Sequence, residues 1–517
     1  AVRIDALERI DAYGLSLDQT IADLVAEGFD VVLDRGPWAD ARSLFRERHL
    51  EDPFGAVAET FFNSLARKMF TTEGIDPLLE FIDEPGEGWE RPVVATRFDG
   101  PPATWLPDVA TLCRFDRSWS DLGADLATIA ARLPADVSHA DVIDRLFFRG
   151  QAAYVVGSLT TSSGATPFAL CIRHAASGGL RFAAVMVGEE DVSILFSYTR
   201  SAFHIASDRP SSLVRFVSGL LPHRSDSELW ASIGYRKVAK SERYREVMSH
   251  LTRTDGRFSF APGVPGLVMI VFGLPDHDLV FKVVRDRFPP PKSVTPSQVA
   301  ERYQLVARHD RAGRLVEAQR FHDLSLPIER FADDVLEELL TSAGRTVTRH
   351  GDRVVFRTVY IERRVTPLDV YLRTADETEA RRVIVDYGTA IKNLAASNIF
   401  PGDMLLKNFG VTSRGRVVFY DYDELTELTV CRFKELPDED LGGMVAGVGP
   451  NDIFPEELPR FLGLAPDLRA AFDEHHADLF GVGFWRAVQQ RIVSGERIEI
   501  RPYRRSASLR PEIHDRK

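Results

Sequence analysis

Between residues 400 and 424 the chain reads FPGDMLLKNFGVTSRGRVVFYDYDE. Three aspartates, Asp403, Asp421 and Asp423, stand there with Lys407 and Asn408 around two short apolar runs. Asn408 lies five residues after Asp403, and Asp421 lies eighteen after it. The stretch divides into a loop, a strand at 409–411, a turn at 413–415 and a strand at 416–420. Such a hairpin would return Asp421 beside the loop that carries Asp403 and Asn408. Phosphoryl transfer needs these residue types. One carboxylate accepts or orients the proton of the attacking hydroxyl. An amide oxygen and a second carboxylate hold Mg2+ against the phosphates. Lys407, between them, would neutralise the moving phosphoryl group.

Catalytic loops of the form H-R-D-L-x-x-x-N use the same Asp-to-Asn spacing, followed by a metal-binding Asp across a hairpin. Here the lead-in is FPGD, and DYD stands where D-F-G would. The spacing leaves two readings open: a station for metal and proton, or a solvated hairpin with an acidic rim. Upstream residues bear on the choice. Ala261, Pro262, Gly263, Val264, Pro265 and Gly266 form a glycine-containing turn whose backbone N–H groups can approach phosphates. VFKVVRD then puts Lys282 in an apolar strand, where a lysine is costly unless paired. The alternative is a lysine on the solvent face of an edge strand. A helix glutamate usually pairs with such a lysine, and Glu301 and Glu317 are the two candidates. Turn, strand lysine, helix, strands, long helix, Asp, Asn, hairpin and Asp follow in the order of a bilobal kinase.

The elements that must position these groups read as follows. From residue 255 onward, strands are expected at 258–260, 267–272 and 279–284. A helix is expected from Thr295-Pro296 through VAERYQLVARH, then strands at 346–348 and 353–362. Thr374 and Glu377 suggest a capping box. Ala380, Val383, Ile384, Tyr387, Ile391, Leu394 and Ala395 make one apolar helical stripe, which stops at Phe400-Pro401-Gly402. From about residue 438 the chain reads as helix and loop, with 451–471 as either a docking segment or a packing helix. The charged last 20 residues read as disordered. Residues 1–250 read as mostly helical, with a small sheet from strands at 152–160, 181–187 and 192–198. The fold class is α+β. A regulatory domain is expected over 1–250 and a kinase-like domain over 251–517, with a small lobe to about 372 and a large lobe from about 373.

The totals narrow the function classes. A chain of 517 residues needs two or three domains. Its net charge of -12 argues against a nucleic-acid binder. Cys113, Cys171 and Cys431 form no CxxC pair, which fits a reducing cytoplasm and not a cysteine-built zinc site. The start, AVRIDALERIDAYG, is amphipathic and acidic, unlike a signal peptide. With no run of about 18 apolar residues, no membrane partner is expected.

Several long phrases carry a resemblance: ETFFNSLARKMF, APGVPGLVMIVF, VFKVVRDRFPPPK, YQLVARHDRAGR, YIERRVTPLDVYL, NIFPGDMLLKNFGVTSRGRVVFYDYDE and NDIFPEELPRFL. They span the chain, which in them resembles the isocitrate dehydrogenase kinase/phosphatases. The resemblance implies a bifunctional enzyme that phosphorylates a serine of NADP-dependent isocitrate dehydrogenase, removes that phosphate, and so sets flux between the Krebs cycle and the glyoxylate bypass. It implies one site for ATP and ADP that needs Mg2+, with Mn2+ as an alternative, and AMP as allosteric effector of the N-terminal domain. Lys282 then matches the lysine that holds ATP, the turn 261–266 the nucleotide loop, Asp403 the catalytic acid, and Asn408 and Asp421 the metal ligands. Asp423 is a supporting acid or a surface one. Glu317 stands where the family has an Asp important for dephosphorylation. That longer side chain raises an alternative: a kinase with weak or absent phosphatase activity. Two rivals remain, a nucleotide-sensing pseudokinase that docks isocitrate dehydrogenase and a small-molecule phosphotransferase. The intact set of Lys282, Asp403, Asn408 and Asp421 argues against the first, and the matching N-terminal half against the second.

Overall fold

The computed structural model describes residues 2–28, 35–49, 52–70, 75–82, 94–197, 202–262, 265–290, 294–309, 311–436, 449, 451–496 and 498–509. It divides into two compact units, one of Ala1–Thr254 with Pro502–Lys517 and one of Asp255–Arg501. Sequence patterning explains both.

The first unit surrounds a six-stranded sheet in the order Ala95–Asp99, His139–Ile143, Ala152–Thr161, Gly164–His174 and Leu180–Val187, with Phe147–Arg149 paired to Ala152–Thr161. Every pairing is antiparallel. Its central strands are continuous apolar runs because both faces are covered. Val155, Leu170 and Phe182 enter one core, while Tyr154, Val156, Cys171 and Met186 enter another. Helices dominate the unit, as expected, but the sheet is larger than the sequence suggested. The strand expected at 192–198 is instead the helix Glu189–Leu195, with Tyr198 outside the described residues. Gly188, at φ 91°, ends the preceding strand, and Glu189, Glu190 and Asp191 load the first helical turn with acids. Residues 502–509 also belong to this unit: Leu509 N donates to Ala183 O at 2.9 Å.

In the second unit a six-stranded antiparallel sheet runs Gln319–Pro327, Arg353–Arg363, Leu279–Val284, Met269–Gly273 and Ser259–Phe260, with Val347–His350 beside Arg353–Arg363. One face is an aromatic core of Phe258, Phe272, Phe281, Phe331 and Phe356, with ring centroids 4.8 to 6.0 Å apart. The helix Pro296–His309 packs on the other face, where the Tyr303 and Tyr360 rings lie 4.1 Å apart. The strand Gln319–Pro327 and the helix Asp333–Ser342 were not foreseen.

The long helix is Glu377–Ala396, and all seven residues of its expected stripe are buried. Its cap differs from the expectation. Asp376, not Thr374, accepts the first free amide, from Glu379 N at 2.8 Å, while Thr374 Oγ1 donates to Tyr371 O at 3.2 Å. An Asp next to the first turn outcompetes a threonine two residues earlier, since it faces the orphan N–H directly. The hairpin pairs Phe409–Val411 with Val417–Phe419, turned at Gly415 with φ 68°. From Pro466, the expected docking or packing segment becomes the helix Pro466–His476, whose Phe472 ring lies 5.8 Å from Tyr387 of the long helix.

Candidate active site

Lys282 lies in the strand Leu279–Val284 and is 6% exposed. Its Nζ sits 2.7 Å from Glu362 Oε2 and donates to the Tyr420 carbonyl at 3.0 Å. Tyr420 also turns its ring toward that ammonium, 5.3 Å from the centroid. The lysine's partner is therefore neither Glu301 nor Glu317. Glu301 is exposed on the helix Pro296–His309, and Glu317 lies outside helix and strand, two residues before the strand Gln319–Pro327. Strand register decides the matter. Lys282 pairs with Tyr360 and Val280 with Glu362 across the Leu279–Val284 and Arg353–Arg363 strands. Glu362 is thus diagonal to Lys282 on one face. Burial pushes the Glu362 carboxyl up, Lys282 and the Tyr303 hydroxyl pull it down, and Asp421 adds to the rise.

The Lys282–Tyr420 bond joins this sheet to the residue before Asp421. A second set of bonds joins Tyr420 to the loop. Tyr420 N donates to Asn408 O at 3.2 Å, and the Tyr420 hydroxyl donates to Lys407 O. Asn408 is buried, and its Nδ2 donates to the Asp403 carbonyl at 3.1 Å, which leaves its Oδ1 as an acceptor. Asp403 is half-buried. Burial first, and Glu424 next, push its carboxyl up, while Asn408 and Lys407 oppose them. Gly402, at φ 79°, is required before it, because a Cβ there would come within 2.4 Å of the Glu424 carbonyl. Lys407 is exposed. The structure thus brings Lys282, Asp403, Asn408 and Asp421 to one place.

The turn after Ser259–Phe260 leads into Met269–Gly273, its paired strand, with Ala261 N donating to Val271 O at 3.0 Å. A Cβ on Gly266 would stand 2.9 Å from the Met269 carbonyl, so a side chain there would force the turn open. Gly263 and Val264 lie outside the described residues. The segment before Glu317 meets the hairpin. Arg314–Val316 runs beside the hairpin, with Phe419 N on Arg314 O at 2.7 Å and Val316 N on Phe419 O at 3.1 Å. The hydroxyl of Tyr422, between Asp421 and Asp423, donates to Val316 O at 2.5 Å. Glu317 follows directly, its Oε2 buried with no hydrogen-bond partner among the described residues.

Oxygen donors such as Asn408 Oδ1 and the carboxylate of Asp421 suit a hard cation like Mg2+. Glu362, Tyr303 and Tyr420 were missed in the sequence. The one available signal was a charged residue, Glu362, directly after the apolar run VYI.

A β-rich part with a buried lysine, followed by a helical part with an Asp-Asn loop and hairpin, is a protein-kinase-like unit, here preceded by a separate, mostly helical one. Family models divide the chain at nearly the same point, between 255 and 256. The regulatory domain of isocitrate dehydrogenase kinase/phosphatase (AceK) matches residues 1–255, and its kinase domain matches 256–505. The isocitrate dehydrogenase kinase/phosphatase of Anaeromyxobacter dehalogenans (strain 2CP-C) is 42% identical over 98% of this chain and 91% of its own. That of Pectobacterium carotovorum subsp. carotovorum (strain PC1) is 39% identical over 90% of this chain and 83% of its own. The chain belongs to the isocitrate dehydrogenase kinase/phosphatase family. Among solved structures, the ROP18 kinase domain in complex with AMP-PNP and sucrose matches at 14% identity and a TM-score of 0.21, over 33% of this chain and 56% of that one. That likeness is too slight to bear on fold or function.

Proposed function

We propose that this protein phosphorylates a serine of NADP-dependent isocitrate dehydrogenase at the expense of ATP, inactivating it, and also removes that phosphate. The relatives' name supports the substrate. One observation carries the chemistry: the backbone of Tyr420, the residue before Asp421, bonds both to Lys282 on the sheet and to Asn408 on the loop. Each residue then has a task. Asp403 accepts the serine proton, and its raised carboxyl makes it a better base than an ordinary aspartate. Lys407, exposed beside it, offsets charge on the transferring group. Lys282 holds nucleotide phosphates, with Ala261, Pro262, Gly263, Val264, Pro265 and Gly266 as the nucleotide loop. Asn408 and Asp421 would hold Mg2+, or Mn2+ in its place, which supplies charge neutralisation at the phosphates. The lobes meet at about residue 372. AMP acts on the N-terminal domain; the family match supports that domain's being regulatory. Three free, buried cysteines fit action in the cytoplasm.

Glu317 supports a second reading, a kinase with weak phosphatase activity. Its Oε2 has no partner among the described residues, so nothing seen there fixes how it would align a water. A shift of about 1 Å could cost on the order of 100-fold. Phosphorylated isocitrate dehydrogenase, incubated with this protein, Mg2+ and ADP, separates the readings. Rapid phosphate release supports the bifunctional one. Slow release that Glu317→Asp speeds up supports the other.

A further inference from the structure

In protein kinases the nucleotide lysine is usually paired by a glutamate on the neighbouring helix, so helix position controls the pair. Here the sheet holds both partners, since Lys282 and Glu362 lie on adjacent strands in fixed register. The helix Pro296–His309 brings Tyr303 instead, 6% exposed. The Tyr303 hydroxyl lies 3.4 Å from Glu362 Oε1 and 3.2 Å from Met269 Sδ. A buried tyrosine hydroxyl needs an acceptor, and a carboxylate oxygen is a stronger one than a thioether. Glu362 is thereby held at both oxygens, Oε2 by Lys282 and Oε1 by Tyr303. The same ring meets Tyr422 edge-on at 5.0 Å, between Asp421 and Asp423. One helix side chain thus touches both the lysine pair and the acid segment.

We propose that Tyr303 is a positioning residue for phosphotransfer: its hydroxyl fixes the Glu362 carboxylate, and through it the aim of Lys282, so that this helix acts on the site without supplying a carboxylate. The proposal rests on the assignment of Lys282 to the nucleotide. A shift of the helix would move the hydroxyl between Glu362 and Met269 while the ion pair stays closed.

Tyr303→Phe tests this, because it keeps the ring contacts and removes one oxygen. The expected result is a kcat lowered on the order of tenfold, about one hydrogen bond to a charged group. KM for ATP should stay within about twofold and the melting temperature should hardly move. Met269→Leu, which removes the other acceptor at nearly constant volume, should leave kcat within about twofold. An unchanged kcat in Tyr303→Phe overturns the proposal. So does an equal loss in Met269→Leu, or a melting-temperature fall large enough to explain the lost activity. Lys282→Met separates this from the site assignment. If that variant still transfers phosphate, the assignment of the site fails. If it is inactive while Tyr303→Phe is normal, only the role of Tyr303 fails.

Discussion

The strand Ala152–Thr161 in the first unit and the strand Leu279–Val284 in the second are both interior strands of six-stranded antiparallel sheets. The first carries no charged residue and sends alternate side chains into two apolar cores. The second carries Lys282 inward, against a Glu362 that is 2% exposed. Replacing a buried ion pair by well-packed apolar residues is often neutral or stabilising, so such a pair is weak evidence for stability. The strand Ala152–Thr161 is therefore built for packing, and the strand Leu279–Val284 gives up packing to hold a charge at the proposed site. Substitutions should follow that line: stability responds in the first sheet, activity in the site of the second unit.

The largest effect tests the activity side. Asp403→Ala should lower phosphotransfer to isocitrate dehydrogenase by about 10^3-fold, the scale of general acid–base catalysis. Burial and Glu424 both disfavour its ionised form, so the melting temperature should stay level or rise, and ATP should still protect against melting. A lowered melting temperature without ATP protection would make Asp403 structural and break the comparison.

Lys282→Met comes next. It strands the Glu362 charge in the sheet, which should cost about 3–5 kcal/mol and show as a lower denaturation midpoint. Adding Glu362→Leu makes the second sheet resemble the first. The double variant should regain most of the stability and none of the activity. Recovered activity would mean that the pair is a packing device after all.

Gly157→Ala probes the packing sheet. A Cβ at Gly157 would lie 2.5 Å from the Asp141 carbonyl on the next strand. Overpacking of this kind costs about 1–3 kcal/mol, to be read from thermal unfolding.

The smallest effect draws the line inside the second unit. His476 is buried against Gly388 of the long helix, its Nε2 2.8 Å from the Val385 carbonyl. Burial lowers its pKa from 6.5 to about 4. The unfolded chain takes up that proton near pH 6.5 and the folded one near pH 4. Its contribution is full above pH 6.5 and is lost as pH falls toward 4, by up to about 1.4 kcal/mol per pH unit. His476→Gln should flatten the fall in melting temperature between pH 7 and pH 5. An equal fall in both proteins would assign the acid sensitivity to other groups.

Local features of the catalytic unit were legible in the sequence. The apolar stripe of Glu377–Ala396, the hairpin after Asn408 and the strand around Lys282 each follow from periodicity and turn chemistry within one short segment. Errors arose where neighbours in space compete with neighbours in sequence. The apolar residues at 192–195 suit a strand or a short helix, and Gly188 with three acids selected the helix. Strands at 95–99, 139–143 and 164–174 gain their partners only once the sheet closes around them.

By itself the sequence determined which chemical groups the chain owns, their order, and the local elements that carry them, because periodicity, turns and spacing act over a few residues. Only the tertiary structure decided that Glu362 and not Glu301 meets Lys282, that Tyr303 stands behind that pair, and that Glu317 lies next to the hairpin. Those contacts depend on strand register and on hydrogen bonds between segments far apart in the chain, from Tyr303 to Glu362 with a separation of 59 to Lys282 to Tyr420 with a separation of 138. A one-residue slip in register would reverse which face each side chain takes, and composition does not record that choice.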